Sequence, residues 1–126
     1  MVGDPAKGEK VFAKCRSCHT IDKGGANGIG PNLYGVPGEQ IANSADRGGF
    51  AFSDALKAHS GDKWTEANLD KWLTSPKSFA DGTKMTFAGL PKEQDRADVI
   101  AYLNSQGGSL TLGGGDAAPA ADAEKK

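Results

Sequence analysis

Apolar positions recur at helical spacing in three stretches of this chain and lose their period between them. Gly8, Val11, Phe12 and Cys15 form one stripe, opened by Asp4 as N-cap and Pro5 at the first helical position. Leu69, Trp72 and Leu73 form an i, i+3, i+4 face after the capping residue Thr65, with Glu66 suited to the positive helix start and Pro76 as the stop. Val99, Ile100, Tyr102 and Leu103 supply the buried side of a last helix, entered through Glu93 and Asp95 and ended by Gly107. A shorter helix is expected near Ser53-Asp54. Residues 21–49, rich in Gly, Asn, Pro and Asp, and residues 82–87 read as loop, and so much loop suggests wrapping around a ligand.

Gly8 costs its helix about 1 kcal/mol relative to Ala, so another backbone is expected to cross closely there. Tyr102 is the candidate to lie against Gly8 and Phe12.

Composition adds a deficit. Of 126 residues only 37% are hydrophobic and 18 are Gly, which is lean for a self-sufficient core, so a buried apolar ligand is expected to supply the rest. The length suits one domain, placed over 1–104, with 105–126 as a disordered Gly/Ala-rich tail. A net charge of −1 offers no basic excess and argues against nucleic acid as a partner. No run approaches the roughly 18 or more apolar residues of a membrane span, and Met1-Val2-Gly3-Asp4 holds no apolar signal core.

The chemistry concentrates in Cys15-Arg16-Ser17-Cys18-His19, the C-x-x-C-H pattern of covalent haem attachment. On one irregular turn both thiolates can add to vinyl groups of the same porphyrin while His19 is aimed at the iron. Both cysteines are thereby used, and no disulfide is expected. Two other readings stand beside it. A redox dithiol wants a βαβ setting, and no Val/Ile-rich strand flanks this motif. A zinc site could draw on Cys15, Cys18, His19 and His59, although His19 abuts Cys18 and His59 lies in a polar run that suits a solvated histidine.

A haem-ligating histidine needs its other ring N–H held by an acceptor, and a proline carbonyl is one with no competing N–H, which makes Pro31 the candidate. Met85, the only internal methionine, is the soft donor available as a sixth ligand; thioether ligation favours the ferrous state.

Together these residues resemble class I cytochrome c, of the bacterial cytochrome c2 and mitochondrial type. The likeness runs from about residue 4 to 104. It rests on Gly8 and Phe12, Cys15 to His19, Gly30-Pro31-Asn32-Leu33-Tyr34-Gly35, Trp64, Gly82-Thr83-Lys84-Met85-Thr86-Phe87-Ala88-Gly89 and Ala97-Asp98-Val99-Ile100-Ala101-Tyr102-Leu103. The resemblance implies an all-α fold in which the first and last helices cross near Gly8 and Tyr102. It also implies one haem c held by Cys15 and Cys18, with His19 and Met85 on the iron. Trp64 would hydrogen-bond a haem propionate, Thr83 would lie near the other, and Phe87 would close the pocket beside the exposed haem edge.

The chain departs from the family where Glu39 replaces an arginine near the propionates and Phe52 a tyrosine donor, with Arg47 the candidate to compensate. Trp72 replaces a tyrosine whose hydroxyl contacts the methionine sulfur.

The function this implies is a soluble periplasmic one-electron carrier, monomeric, whose export segment or anchor is missing from this chain. It would dock transiently with a cytochrome bc1 complex, cytochrome oxidase or photosynthetic reaction centre, steered by Arg16, Lys23, Lys77 and Lys84. No paired acid and base or activated nucleophile points to an enzyme. The rival is a haem peroxidase or gas-binding protein in which Met85 dissociates.

Overall fold

The computed structural model describes residues 3–43, 49–83, 85 and 87–112; Arg47, Lys84 and residues 113–126 lie outside the described part. Among the described residues five helices follow in order: α1 (Pro5–Phe12), α2 (Asp54–Lys57), α3 (Glu66–Thr74), α4 (Pro76–Phe79) and α5 (Glu93–Ser105). Among the described residues the one β pairing is an isolated antiparallel bridge, Gln40 with Lys63, so the architecture is all-α.

Capping chemistry sets the boundaries. The Asp4 carboxylate accepts from the Ala6 N–H, Ser53 from Leu56 and Thr65 from Asn68, each answering an orphan donor of the first turn. Helix α1 stops at Phe12, short of Cys15. Beyond it the backbone tightens to i→i−3 bonds, including Cys15 N–H to the Phe12 carbonyl at 2.7 Å, so the apolar stripe outlasts the helix. Pro76 both ends α3 and opens α4: Ser75 is C-cap of the first and N-cap of the second.

The first and last helices cross where α1 carries Gly8. A Cβ at Gly8 would strike the Asp98 carbonyl oxygen, which is why the backbones can approach so closely. One turn on, Phe12 is fully buried with its ring 5.4 Å from that of Tyr102. Asp98, itself buried, ties the start of α1 to α5 by accepting from the Asp4 N–H and from Gln94 Nε2, both at 2.8 Å. Every residue of α5 from Ala97 to Leu103 is buried. The expected single apolar side is therefore too narrow a description, because α5 is enclosed by α1, α3 and the central cavity.

Residues 105–112, assigned by composition to the tail, fold back on the body. The Asn104 side chain donates to the Leu110 carbonyl at 2.8 Å and accepts the Leu110 N–H at 2.9 Å. Gly35 N–H bonds the Gln106 carbonyl, Ser109 N–H bonds that of Pro37, and Leu110 and Leu112 pack against the core. A Gly/Ser-rich average conceals two well-spaced leucines and one amide that can act as a backbone partner.

Candidate functional site

The loop after the C-x-x-C-H motif is built around one buried side chain, Asn32. Its amide donates to Thr20 Oγ1 and to the Asp22 carbonyl, each at 2.9 Å, and its Oδ1 accepts the Tyr34 N–H. The Asn32 N–H is in turn held by Asn27 Oδ1 at 2.8 Å. This network fixes Pro31, whose carbonyl oxygen lies 2.8 Å from His19 Nδ1. A carbonyl can only accept, so Nδ1 carries the proton and Nε2 keeps its lone pair. Burial lowers the pKa of His19, and the bond to Pro31 offsets part of that, so the ring is neutral at neutral pH. Gly30 backs the same imidazole: a Cβ there would enter the ring.

Cys15 and Cys18 are free and half-buried on the turn that leaves α1. Burial pushes the Cys15 thiol up, the neighbouring Cys18 adds to the effect, and Lys14 opposes it.

These residues open onto a cavity of about 290 Å³. Cys15, Cys18, His19 and Pro31 line it from the first third of the chain. Trp64, Trp72, Thr83, Met85 and Phe87 line it from the second half. Apolar side chains such as Phe12, Leu33, Leu69, Val99 and Leu103 fill the remaining wall. Trp64 is placed by the loop at the isolated bridge, where its backbone N–H bonds the Glu39 carbonyl at 2.7 Å. Its ring lies 5.7 Å from those of both Trp72 and Phe79. The Met85 N–H is held by Thr83 Oγ1 at 3.2 Å. Glu39 and Phe52 also face this cavity.

The donor set fits a haem. Two thiols sit on one turn, an imidazole nitrogen is free while its other nitrogen is tied, a methionine lines the same space, and the walls are mostly apolar. The other readings find less. His59 is not at the cavity; it is half-buried rather than solvated, stacked at 4.4 Å on Phe79 with its Nε2 2.8 Å from the Phe79 carbonyl. Among the described residues no group of three His, Cys, Asp or Glu side chains could hold a metal, and no βαβ unit surrounds the thiols. Of the expected docking cations, Lys23 and Lys77 are exposed. Arg16 is exposed too, but its guanidinium lies over the Phe12 ring and 4.0 Å from Glu9.

Sequence reasoning gave no separate role to Asn32 or Gly30. An Asn following Gly-Pro in a non-periodic loop is a turn-forming signal that points at the first. Nothing local marks Gly30 as the residue behind the imidazole.

Comparison with known proteins supplies the relatives. The family model described as "Cytochrome c" matches residues 5–107. The chain is 54% identical over 99 residues to a "Cytochrome c homolog" of Bradyrhizobium diazoefficiens, covering 79% of this chain and 52%, about half, of that protein. It is 49% identical over 106 residues to "Cytochrome c2" of Rhodomicrobium vannielii, covering 84% of this chain and 82% of that one. Among solved structures it is similar to cytochrome cH from Methylobacterium extorquens, with a TM-score of 0.73 and 48% identity, over 82% of this chain and 99% of the other.

Proposed function

This chain belongs to the cytochrome c family, whose members carry covalently attached haem c and transfer electrons, and from that membership we propose that it is a one-electron carrier with a low-spin, His/Met-ligated haem. The observation that carries the reading is the His19–Pro31 contact, which leaves Nε2 free in the wall of a cavity that Met85 also lines. Bound haem supplies an Fe(III)/Fe(II) couple.

The protein does the rest. Cys15 and Cys18 tether the group, and His19 is held in one tautomer and one orientation by Pro31 and Gly30. Met85, fixed by Thr83, offers a thioether that favours the ferrous state. The apolar wall keeps water out. Trp64 and Thr83, which line the cavity, would serve the propionates, and Phe87 would stand beside the exposed edge. His19 and Met85 would together hold the iron and leave small molecules no open site, which suits electron transfer.

Its partners are membrane redox complexes such as a cytochrome bc1 complex, a cytochrome oxidase or a photosynthetic reaction centre. Docking is brief, through a small patch flanked by Lys23, Lys77 and Arg16. Haem is attached to this motif outside the cytoplasm, so the place of action is the periplasm. No helix among the described residues is long and apolar enough to cross a membrane.

The test is the visible spectrum of the haem-loaded protein, oxidised and reduced. Sharp reduced α and β bands with the weak far-red band of iron–thioether ligation support the reading. A high-spin oxidised spectrum would replace it with a haem peroxidase or gas-binding protein.

A further inference from the structure

A guanidinium buried at the foot of the Met85 segment has no part in the site as described. Arg96, on α5, has a side chain only 12% exposed, and its Nε donates to Asp70 Oδ1 on α3 at 2.7 Å. Its Nη1 donates to the Leu90 carbonyl at 2.8 Å and to that of Pro91 at 3.1 Å. One side chain therefore joins two helices to the point where the chain leaves Met85 and returns to the body. Leu90 is 1% exposed and its N–H bonds the Leu73 carbonyl at 2.6 Å. Gly89 lies so close to the Thr74 carbonyl that a Cβ would collide with it.

We infer that Arg96, held by Asp70, is a positioning residue for Met85: it keeps the segment after the methionine closed against α3 and α5, and so keeps the thioether at the haem. The inference rests on the reading of Met85 as an axial ligand. Three charge-assisted bonds made by a mostly buried group are stronger than neutral ones, and breaking them leaves the carbonyl of buried Leu90 without its donor, while the exposed Pro91 carbonyl and the partly exposed Asp70 carboxylate turn to water. The planar fork serves the carboxylate from Nε and the two carbonyls from Nη1, two nitrogens at a fixed separation, whereas an ammonium would have to reach all three acceptors from a single point on a flexible stem. The contacts at Leu90 and Pro91 hold the segment, whereas the α1–α5 crossing is built elsewhere. Losing Arg96 therefore releases Met85 before it unfolds the protein.

The experiment uses the haem-loaded, oxidised protein titrated with guanidinium chloride. The far-red thioether band and the far-ultraviolet ellipticity are read on the same samples. Arg96→Met, Arg96→Lys and Asp70→Asn are compared with the parent. The expected result is that the band disappears at lower denaturant than the ellipticity, most in Arg96→Met and less in Arg96→Lys and Asp70→Asn. The equilibrium constant for losing the thioether should rise by about tenfold to a hundredfold. Equal shifts of both midpoints, or no shift, would overturn the inference and leave Arg96 an ordinary structural residue. Absence of the band from the parent protein would instead remove Met85 as a ligand, and the clamp with it. Should Arg96→Met not fold, the two milder variants decide.

Discussion

His19 Nδ1 lies 2.8 Å from the carbonyl oxygen of Pro31, and this contact decides which imidazole nitrogen is available to a metal. Because the acceptor is backbone, exchanging Pro31 leaves it in place. The side-chain position that controls the ring is Gly30. Gly30→Ala is expected to push the imidazole off its axis and cost about 1–3 kcal/mol, as overpacking does. Chemical unfolding and the oxidised spectrum, read for a high-spin fraction, check this; an unchanged spectrum at unchanged stability would sink it.

Met85→Ala removes the thioether donor at the cavity. The oxidised protein should lose its far-red band, become high-spin, bind added imidazole more tightly and show a lower midpoint potential, since thioether ligation favours the ferrous state. A variant that keeps the band would show that another group is the ligand.

Glu39 faces the same cavity. A carboxylate near the iron stabilises Fe(III) over Fe(II), so Glu39→Gln is expected to raise the midpoint potential, more at low ionic strength than at high. A potential that falls, or one indifferent to the change, would place this charge too far away to matter.

At the helix crossing two effects oppose. Gly8→Ala improves helix propensity by about 1 kcal/mol. The new methyl meets the Asp98 carbonyl and the Tyr102 side chain, and neither backbone can yield without disturbing the other. Steric cost should win, with a net loss of about 1–2 kcal/mol in denaturant unfolding; a stabilised variant would mean that the helices separate easily.

The Asn104 amide closes residues 105–112 onto the body through two bonds to Leu110. Asn104→Ala should cost about 1–2 kcal/mol of stability, and truncation after 104 should cost more because Leu110 and Leu112 also leave the core. Unaltered melting of the truncated protein would show this return to be dispensable.

What the sequence determined by itself is local chemistry. Cys15, Cys18 and His19 are adjacent, so their motif was legible without a fold. Caps at Asp4, Ser53 and Thr65 act within one turn, so the helices they open could be placed, and Gly8 announced a close crossing because a helix tolerates glycine badly. What only tertiary structure decided are relations between residues remote in sequence. Gly30 lies behind the His19 ring, Asn104 receives Leu110, His59 stacks on Phe79 instead of meeting the thiols, and Arg96 joins Asp70 to the Met85 segment. None of these pairs follows from periodicity or propensity. Each exists because the whole chain closes around one cavity, and closure assigns partners only when all the elements are in place.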